Sequence, residues 1–407
     1  MKNSLHFLTK IYNNRWFQVV LGFIAFISLG TVYSYSILRV EIQREFQIGS
    51  TLSGLPYLTS LFFYAVTMFV SGRYFSDFKP SKVMVIGSLL VSTGWILSSF
   101  TSSIYVLILT YGVIMGIGVG LVYGIPVMVI PKWFDKHKGL AMGLVLGGFG
   151  LSPLLTSPIT QVSLDRFGLS DTFLIFGLVF MVLLTLISII FHNPPDNKGK
   201  IIFSKENKNN THIIKTKNFW LLYLNFILGT TTGLMVIGSS SVIGVNYYQL
   251  EIHLVAFTIA FFAVMNAIGR PIFGYLNDHL GTKKTIVLIH LITVISSLII
   301  IFQPFNQFAS FITGFAPLWM MLGGWLALAP AATHSLFDDN DFSKNYGLVF
   351  TGYGLGAIIG VLFSGRIIDS NLSLEFLFIP IIIISLISIL ITSFLLKKIT
   401  KEKMDTE

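Results

Sequence analysis

Apolar residues run through this chain in long stretches, not in the alternation of a strand or the one-sided stripe of a surface helix. Twelve stretches are long enough to cross a bilayer: 16–38, 53–74, 82–100, 104–130, 139–161, 171–191, 218–243, 253–276, 284–303, 306–331, 346–368 and 371–396. Crossing the hydrocarbon core takes about 20 residues of helix, and a helix that is apolar all round belongs in lipid or among other helices. The pattern predicts an all-α membrane protein of twelve transmembrane helices. One long polar interval, containing Asn193-Pro194-Pro195 and a run of Lys and Asn, separates the first six stretches from the last six. It predicts three parts: a six-helix bundle over 1–191, a flexible cytoplasmic linker over 192–217 and a second six-helix bundle over 218–407.

Composition agrees, with 54% hydrophobic and only 11% charged residues, a balance foreign to soluble domains. The net charge of +9 does not point to nucleic acid, because every Lys falls on one side once the twelve stretches alternate. The other side carries Arg39, Arg44, Arg166 and Arg366 among Glu41, Glu45, Asp165 and Asp369. The positive-inside rule then places both termini in the cytoplasm of a cell whose plasma membrane the chain crosses many times. Cys is absent, which excludes disulfides and thiolate metal sites. No HExxH, GxSxG or P-loop pattern occurs, so no enzyme, cofactor or metal site is expected.

Arg270 stands out. It lies inside the apolar run 253–276, which holds no acid. A guanidinium in hydrocarbon costs at least roughly 2.5 to 3.5 kcal/mol and is a functional-site hypothesis by default. It offers parallel donors that match a carboxylate. The alternative is that it snorkels to the inner surface or caps a carbonyl. Pro271 should break the helix there. Glycines in the fourth stretch (Gly112, Gly116, Gly118, Gly120) and the fifth (Gly139, Gly143, Gly147, Gly148, Gly150) form ladders that should let helices approach closely. His290, alone in the ninth, reads as structural.

A faint repeat runs through both halves: Asp77, Asp165, Asp278 and Asp369 each follow a small residue at the end of a stretch, as a three-helix unit used four times would produce. Gly274-x3-Asp278-x2-Gly281-x-Lys283-Lys284 closely resembles the loop signature of the major facilitator superfamily, and its counterpart near Asp77 and Lys82 is degenerate, with Pro80 where the family has Gly. The first stretch (Tyr33 to Arg39), the fourth (Gly116 to Pro126), the eighth (Gly269-Arg270-Pro271) and the eleventh (Asn345 to Thr351) resemble the oxalate/formate antiporter and monocarboxylate transporter branch.

The resemblance implies two pseudo-symmetric six-helix bundles and a secondary transporter, acting as a monomer, for a small monocarboxylate such as lactate, pyruvate or formate. A coupled proton or counter-anion would accompany it. Within that resemblance Arg270 would hold the carboxylate. Asn266 stands where monocarboxylate carriers place a proton-linked Asp, and it cannot titrate. Tyr353 stands where the oxalate exchanger has a second cation. Tyr33, Tyr35, Tyr123, Trp325 and Tyr353 would line the path, and Arg39 would attract anions at the entry, or else form a solvated helix end paired with Glu41 or Glu45. Asp77, Lys82, Asp278, Lys283 and Lys284 would gate the cytoplasmic side. The alternatives are an oxalate/formate-type exchanger and an exporter of neutral or hydrophobic compounds. The confinement of all 18 acids to loops, tails and the ends of stretches, and the lack of an arginine near Thr110 or Tyr111, count against cationic drug efflux.

Overall fold

A computed structural model describes residues 14–74, 78–134, 138–195, 213–337 and 342–404. Every regular element among them is helical. Ten helices are long and apolar enough to cross a membrane, and two of these, Lys138–Ile190 and Ile252–Phe302, are each about twice the length a bilayer needs. Each folds back at a single glycine, Gly168 and Gly281, both at φ 77°. That left-handed region is open to glycine at little cost and strained for other residues. The result is twelve crossings: α1 (Arg15–Phe46), α2 (Ser50–Tyr74), α3 (Pro80–Ser98), α4 (Ile104–Trp133), α5 (138–167), α6 (169–190), α7 (Lys217–Asn246), α8 (252–280), α9 (282–302), α10 (Gln307–Leu336), α11 (Phe342–Asp369) and α12 (Leu374–Met404). Most of the expected linker, and Asp77 with it, lies outside the described residues.

Three local features set up the interior. α1 tightens to a 3-10 turn over Gly30–Ser34, where a side chain on Gly30 would strike the main chain of Phe149. Ser34 is held against Thr156 and Ser157 of α5 by hydroxyl bonds of 2.6 and 3.0 Å. α4 carries a π-helical stretch over Ile108–Met115, and its glycine ladder does what the sequence suggests: a Cβ on Gly116 would stand 2.6 Å from the Ser60 carbonyl oxygen, and one on Gly120 2.7 Å from that of Tyr64. α8 packs on α10 through Gly269 and Gly323, each pressed on the other helix's main chain. Contrary to expectation, α8 runs on through Pro271 without a break, because neighbouring packing tolerates one lost hydrogen bond.

The α5 ladder departs from the expected close approach. Gly148 does meet α1, at the Phe23 carbonyl. A Cβ on Gly139, Gly143 or Gly147 would meet nothing within 4 Å, and neither would one on Gly274 of α8. At the lysine-poor end the crossings before residue 192 are tied to those after 217. Asp369 at the end of α11 accepts the backbone N–H groups of Ser50 and Thr51, the second at 2.8 Å, and so caps α2. Ser241 Oγ lies 3.1 Å from Ser36 Oγ, and His253 Nε2 3.5 Å from Asp165 Oδ2.

Candidate functional site

Arg270 is only 5% exposed. It does not reach the lysine-bearing surface: its Nη1 donates to the main-chain carbonyl of Leu146 on α5, across the interface between α8 and α5. The carbonyl-capping alternative thus accounts for one nitrogen. The other two, Nε and Nη2, are buried and have no hydrogen-bond partner among the described residues. Buried donors are normally paired, and a cation left half-satisfied in a dry interior is costlier still.

Asn266 lies one turn earlier on the same face of α8 and is fully buried. Its Nδ2 donates to the Trp319 carbonyl at 2.9 Å, which fixes the amide orientation and turns Oδ1 the other way. Oδ1 has no partner among the described residues either. Both groups face Gly150 of α5: a Cβ there would stand 2.7 Å from Asn266 Oδ1, 3.2 Å from Arg270 Nε and 3.3 Å from Arg270 Nη2. Two free donors and one free acceptor therefore converge on the spot where Gly150 has no side chain.

Beside this spot lies an aromatic cluster contributed by both sets of helices. Arg270 is close enough to act electrostatically on Tyr33, Tyr123 and Tyr346. Tyr33 of α1 and Tyr353 of α11 share a hydroxyl bond of 2.7 Å. Tyr33 meets Phe149 edge-on at 5.0 Å, Tyr64 meets Tyr123 at 5.0 Å and Phe350 at 5.3 Å, and Phe350 stacks on Tyr353 at 5.0 Å.

Of the expected path residues, Tyr33, Tyr123 and Tyr353 join Arg270 and Asn266 here. Tyr35 does not: it donates to the Ser53 carbonyl at 2.7 Å and stacks on Tyr57 in a separate group toward the lysine-poor end. Trp325 sits behind the cluster, 6.2 Å from Phe226 and 5.7 Å from His290. His290 contacts Asn225 Oδ1 at 3.2 Å. Sequence reading missed Gly150 as a wall of the site, the Leu146 carbonyl, Tyr64 and Phe149. Only the glycine run of α5 hinted at any of them.

Arg39 is neither solvated nor paired with Glu41 or Glu45. It is fully buried, and all three nitrogens are engaged: Nε with Ser53 Oγ at 3.3 Å, Nη2 with the Ser50 carbonyl at 2.6 Å, and Nη1 with the Gly238 carbonyl at 2.5 Å and Ser239 Oγ at 3.1 Å. Glu41 instead lies 3.8 Å from the exposed Arg44. The solvated-end reading failed because Arg39 reaches from α1 to α7 within the lysine-poor end, which removes it from water. At the lysine-bearing end, Lys82, Asp278 and Lys284 are exposed, and Lys283 donates to the Ser393 carbonyl of α12 at 2.8 Å. Among the described residues no ion pair joins these groups.

The family model of the Major Facilitator Superfamily matches residues 21–329 and again 243–406. The chain belongs to that superfamily. It is 26% identical over 367 residues to the oxalate:formate antiporter of Oxalobacter formigenes, a match covering 87% of each chain. It is 24% identical to monocarboxylate transporter 12 of Xenopus laevis over 74% of this chain and 71% of that one. In fold it is similar to a bacterial homologue of the human lysosomal transporter Spinster, solved in an inward-facing and unoccupied conformation, with TM-score 0.69, 15% identity, and 93% and 95% of the two chains covered. The superfamily member is thus a multi-pass membrane transporter and not an enzyme.

Proposed function

We propose that this superfamily member is a secondary active transporter that moves a small monocarboxylate anion across the plasma membrane by alternating access, with residues 1–191 and 218–407 as the two moving bundles. The observation that carries this is the buried Arg270 guanidinium with Nε and Nη2 unpartnered at the interface between α5 and α8. A carboxylate accepts from both nitrogens side-on, and in a low-dielectric interior that pair is stronger than in water. Binding neutralises the charge and lowers the cost of closing protein around it.

Two buried arginines would suit a dicarboxylate if both were free, but every nitrogen of Arg39 is already engaged. One guanidinium with a free face favours one carboxylate, so a monocarboxylate ranks above oxalate. The names of the antiporter and of the monocarboxylate transporter support an anion substrate class. In this reading the contacts of Arg39 and Asp369 close the lysine-poor, outer end, and Asp77, Lys82, Asp278, Lys283 and Lys284 latch the cytoplasmic end in the opposite state. Both termini face the cytoplasm by the distribution of Lys.

Uptake of labelled lactate, formate and oxalate into proteoliposomes tests it. Arg270→Ala should abolish uptake of the transported acid while the protein remains folded and inserted. Equal uptake by wild type and variant overturns the reading and favours an exporter of neutral or hydrophobic compounds.

A further inference from the structure

The lysine-poor end holds one contact between the two sets of helices whose charge depends on a proton. His253 Nε2 lies 3.5 Å from Asp165 Oδ2, and the contact runs from α8 to α5. Gln161, one turn earlier on α5, donates its Nε2 to Asp165 Oδ1 at 2.9 Å. That bond takes one carboxylate oxygen and leaves Oδ2 for the imidazole. The two side chains are 59% and 42% exposed, so protons from the water on that side reach them.

Their places on the helices make the pair mutually dependent. Asp165 sits in the last turn of α5, which ends at Gly168, and His253 is the second residue of α8. Carbonyls at a helix C-terminus oppose an anion, and N–H groups at an N-terminus oppose a cation. Each charge thus stands at the unfavourable end of its own helix and finds its compensation in the other. Parting the two sets of helices removes that compensation from both.

We propose that His253 and Asp165 form a proton-sensitive clasp: protonation of His253 from the lysine-poor side draws α8 to α5 and favours the state in which that end is closed. This rests on the alternating-access reading given above and not on the identity of the cargo. A neutral imidazole offers the carboxylate no charge. Imidazoles ordinarily titrate near about pH 6.5 and Asp near about 3.9, so the attraction is present between those values and is lost as pH rises toward about 8. Arg166 on α5, Asp171 on α6, Glu251 before α8, Glu375 on α12, and Glu41, Arg44 and Glu45 on α1 share this end, while α7 and α10 bring no charged residue to it. Among the described residues none of them forms an ion pair with His253 or Asp165, and Glu41 lies 3.8 Å from Arg44. With Arg39 and Asp369 also holding this end, the clasp changes the size of a small open population. Chemical labelling reads that population, and ligand binding to the closed form does not.

Ser241 lies against Ser36 across the same junction, and the chain has no Cys. A thiol placed by Ser241→Cys therefore reads the closure through its rate with a membrane-impermeant maleimide. The rate is measured in the purified protein between about pH 5.5 and 8, with His253 intact and with His253→Gln. The ratio of the two at each pH cancels the titration of the thiol and of every other group. It should be near one at the alkaline end and rise to about two- to fivefold at the acid end, the range that an exposed ion pair supplies. Asp165→Asn should act as His253→Gln does, and the two together as either alone. His253→Arg, whose charge does not titrate, should hold the closure equally at both ends of the range. A ratio that stays flat with pH, or effects of the two substitutions that add, overturns the clasp. Arg39→Ala separates this from the reading beneath it. If that variant speeds labelling and His253→Gln does not, the clasp alone falls. If neither variant nor pH moves the rate, the opening of this end by alternating access falls as well.

Discussion

Arg270 on α8 grips the main-chain carbonyl of Leu146 on α5, and one turn further along α5 Gly150 packs against the two guanidinium nitrogens that have no partner among the described residues. The two helices thus meet at a cation that is part anchor and part open valence.

Gly150→Ala is the smallest change that fills the spot. The added methyl would stand 2.7 Å from Asn266 Oδ1 and 3.2 to 3.3 Å from the free guanidinium nitrogens, nearer than such atoms normally approach. Carboxylate binding should fall by at least about tenfold. Stability should change by no more than about 1 to 3 kcal/mol, the usual cost of overpacking. Calorimetry and thermal melting separate the two effects, and tight binding retained by this variant would place the ligand elsewhere.

Asn266→Asp should introduce a pH dependence that wild type lacks at this position. An ionised carboxylate one turn from Arg270 takes the guanidinium for itself and repels an anion, so the ligand binds only when the introduced carboxyl is protonated. The sign follows: affinity should drop as pH rises through the titration of the new acid, by about tenfold for each pH unit above it. Wild-type binding, with no titrating group at this place on α8, should stay level over the same range. Binding constants measured between about pH 5 and 8 decide this.

Arg39→Ala removes a buried cation from two carbonyls and two hydroxyls. Hydrogen bonds to charged groups contribute about 1.5 to 3 kcal/mol each, net of the bonds to water they replace, so the lysine-poor closure should weaken strongly. The chain has no Cys, so the single substitution Ser241→Cys reports on that closure. The new thiol should be slow to react with a membrane-impermeant maleimide in the wild-type background and at least about tenfold faster with Arg39→Ala. Equal rates would mean that Arg39 does not hold the two sets of helices together.

Asp369→Asn keeps the shape of the cap on α2 but removes its charge and turns one of its two acceptor oxygens into an NH2 donor that faces a backbone N–H. A carboxylate at a helix N-terminus is worth about 0.3 to 1 kcal/mol more than a neutral group, up to about 2 where partly buried. The closed-to-open ratio should therefore fall by at least about two- to thirtyfold. The same thiol reporter should show a smaller change than with Arg39→Ala.

Long apolar runs made the crossings legible, because nothing but a bilayer or a dense helical interior accommodates them. The turns at Gly168 and Gly281 were legible only as gaps between runs, since the left-handed φ that lets α5 double back into α6 is a backbone property. Arg270 announced itself as a charge among apolar residues. Its neighbours did not: the Leu146 carbonyl belongs to every residue's backbone and carries no signature, and Gly150 was one glycine among several on α5. Arg39 misled for a related reason. It stands where α1 turns polar, and burial there depends on α7, about two hundred residues further along the chain. Tyr64 was hidden by abundance, since aromatics make up 14% of the sequence.

The 2.7 Å bond between the hydroxyls of Tyr33 and Tyr353 has an arithmetic of its own. Two neutral phenols joined across a dividing plane gain only about 0.5 to 1.5 kcal/mol, which thermal motion breaks readily. Each hydroxyl can equally turn its proton toward an incoming oxyanion, and a charge-assisted bond is roughly twice as strong as a neutral one. On the proposed reading, an anion held by Arg270 would draw one phenol away from the other. On that carboxylate reading, the contact is a fastening that the cargo itself would undo.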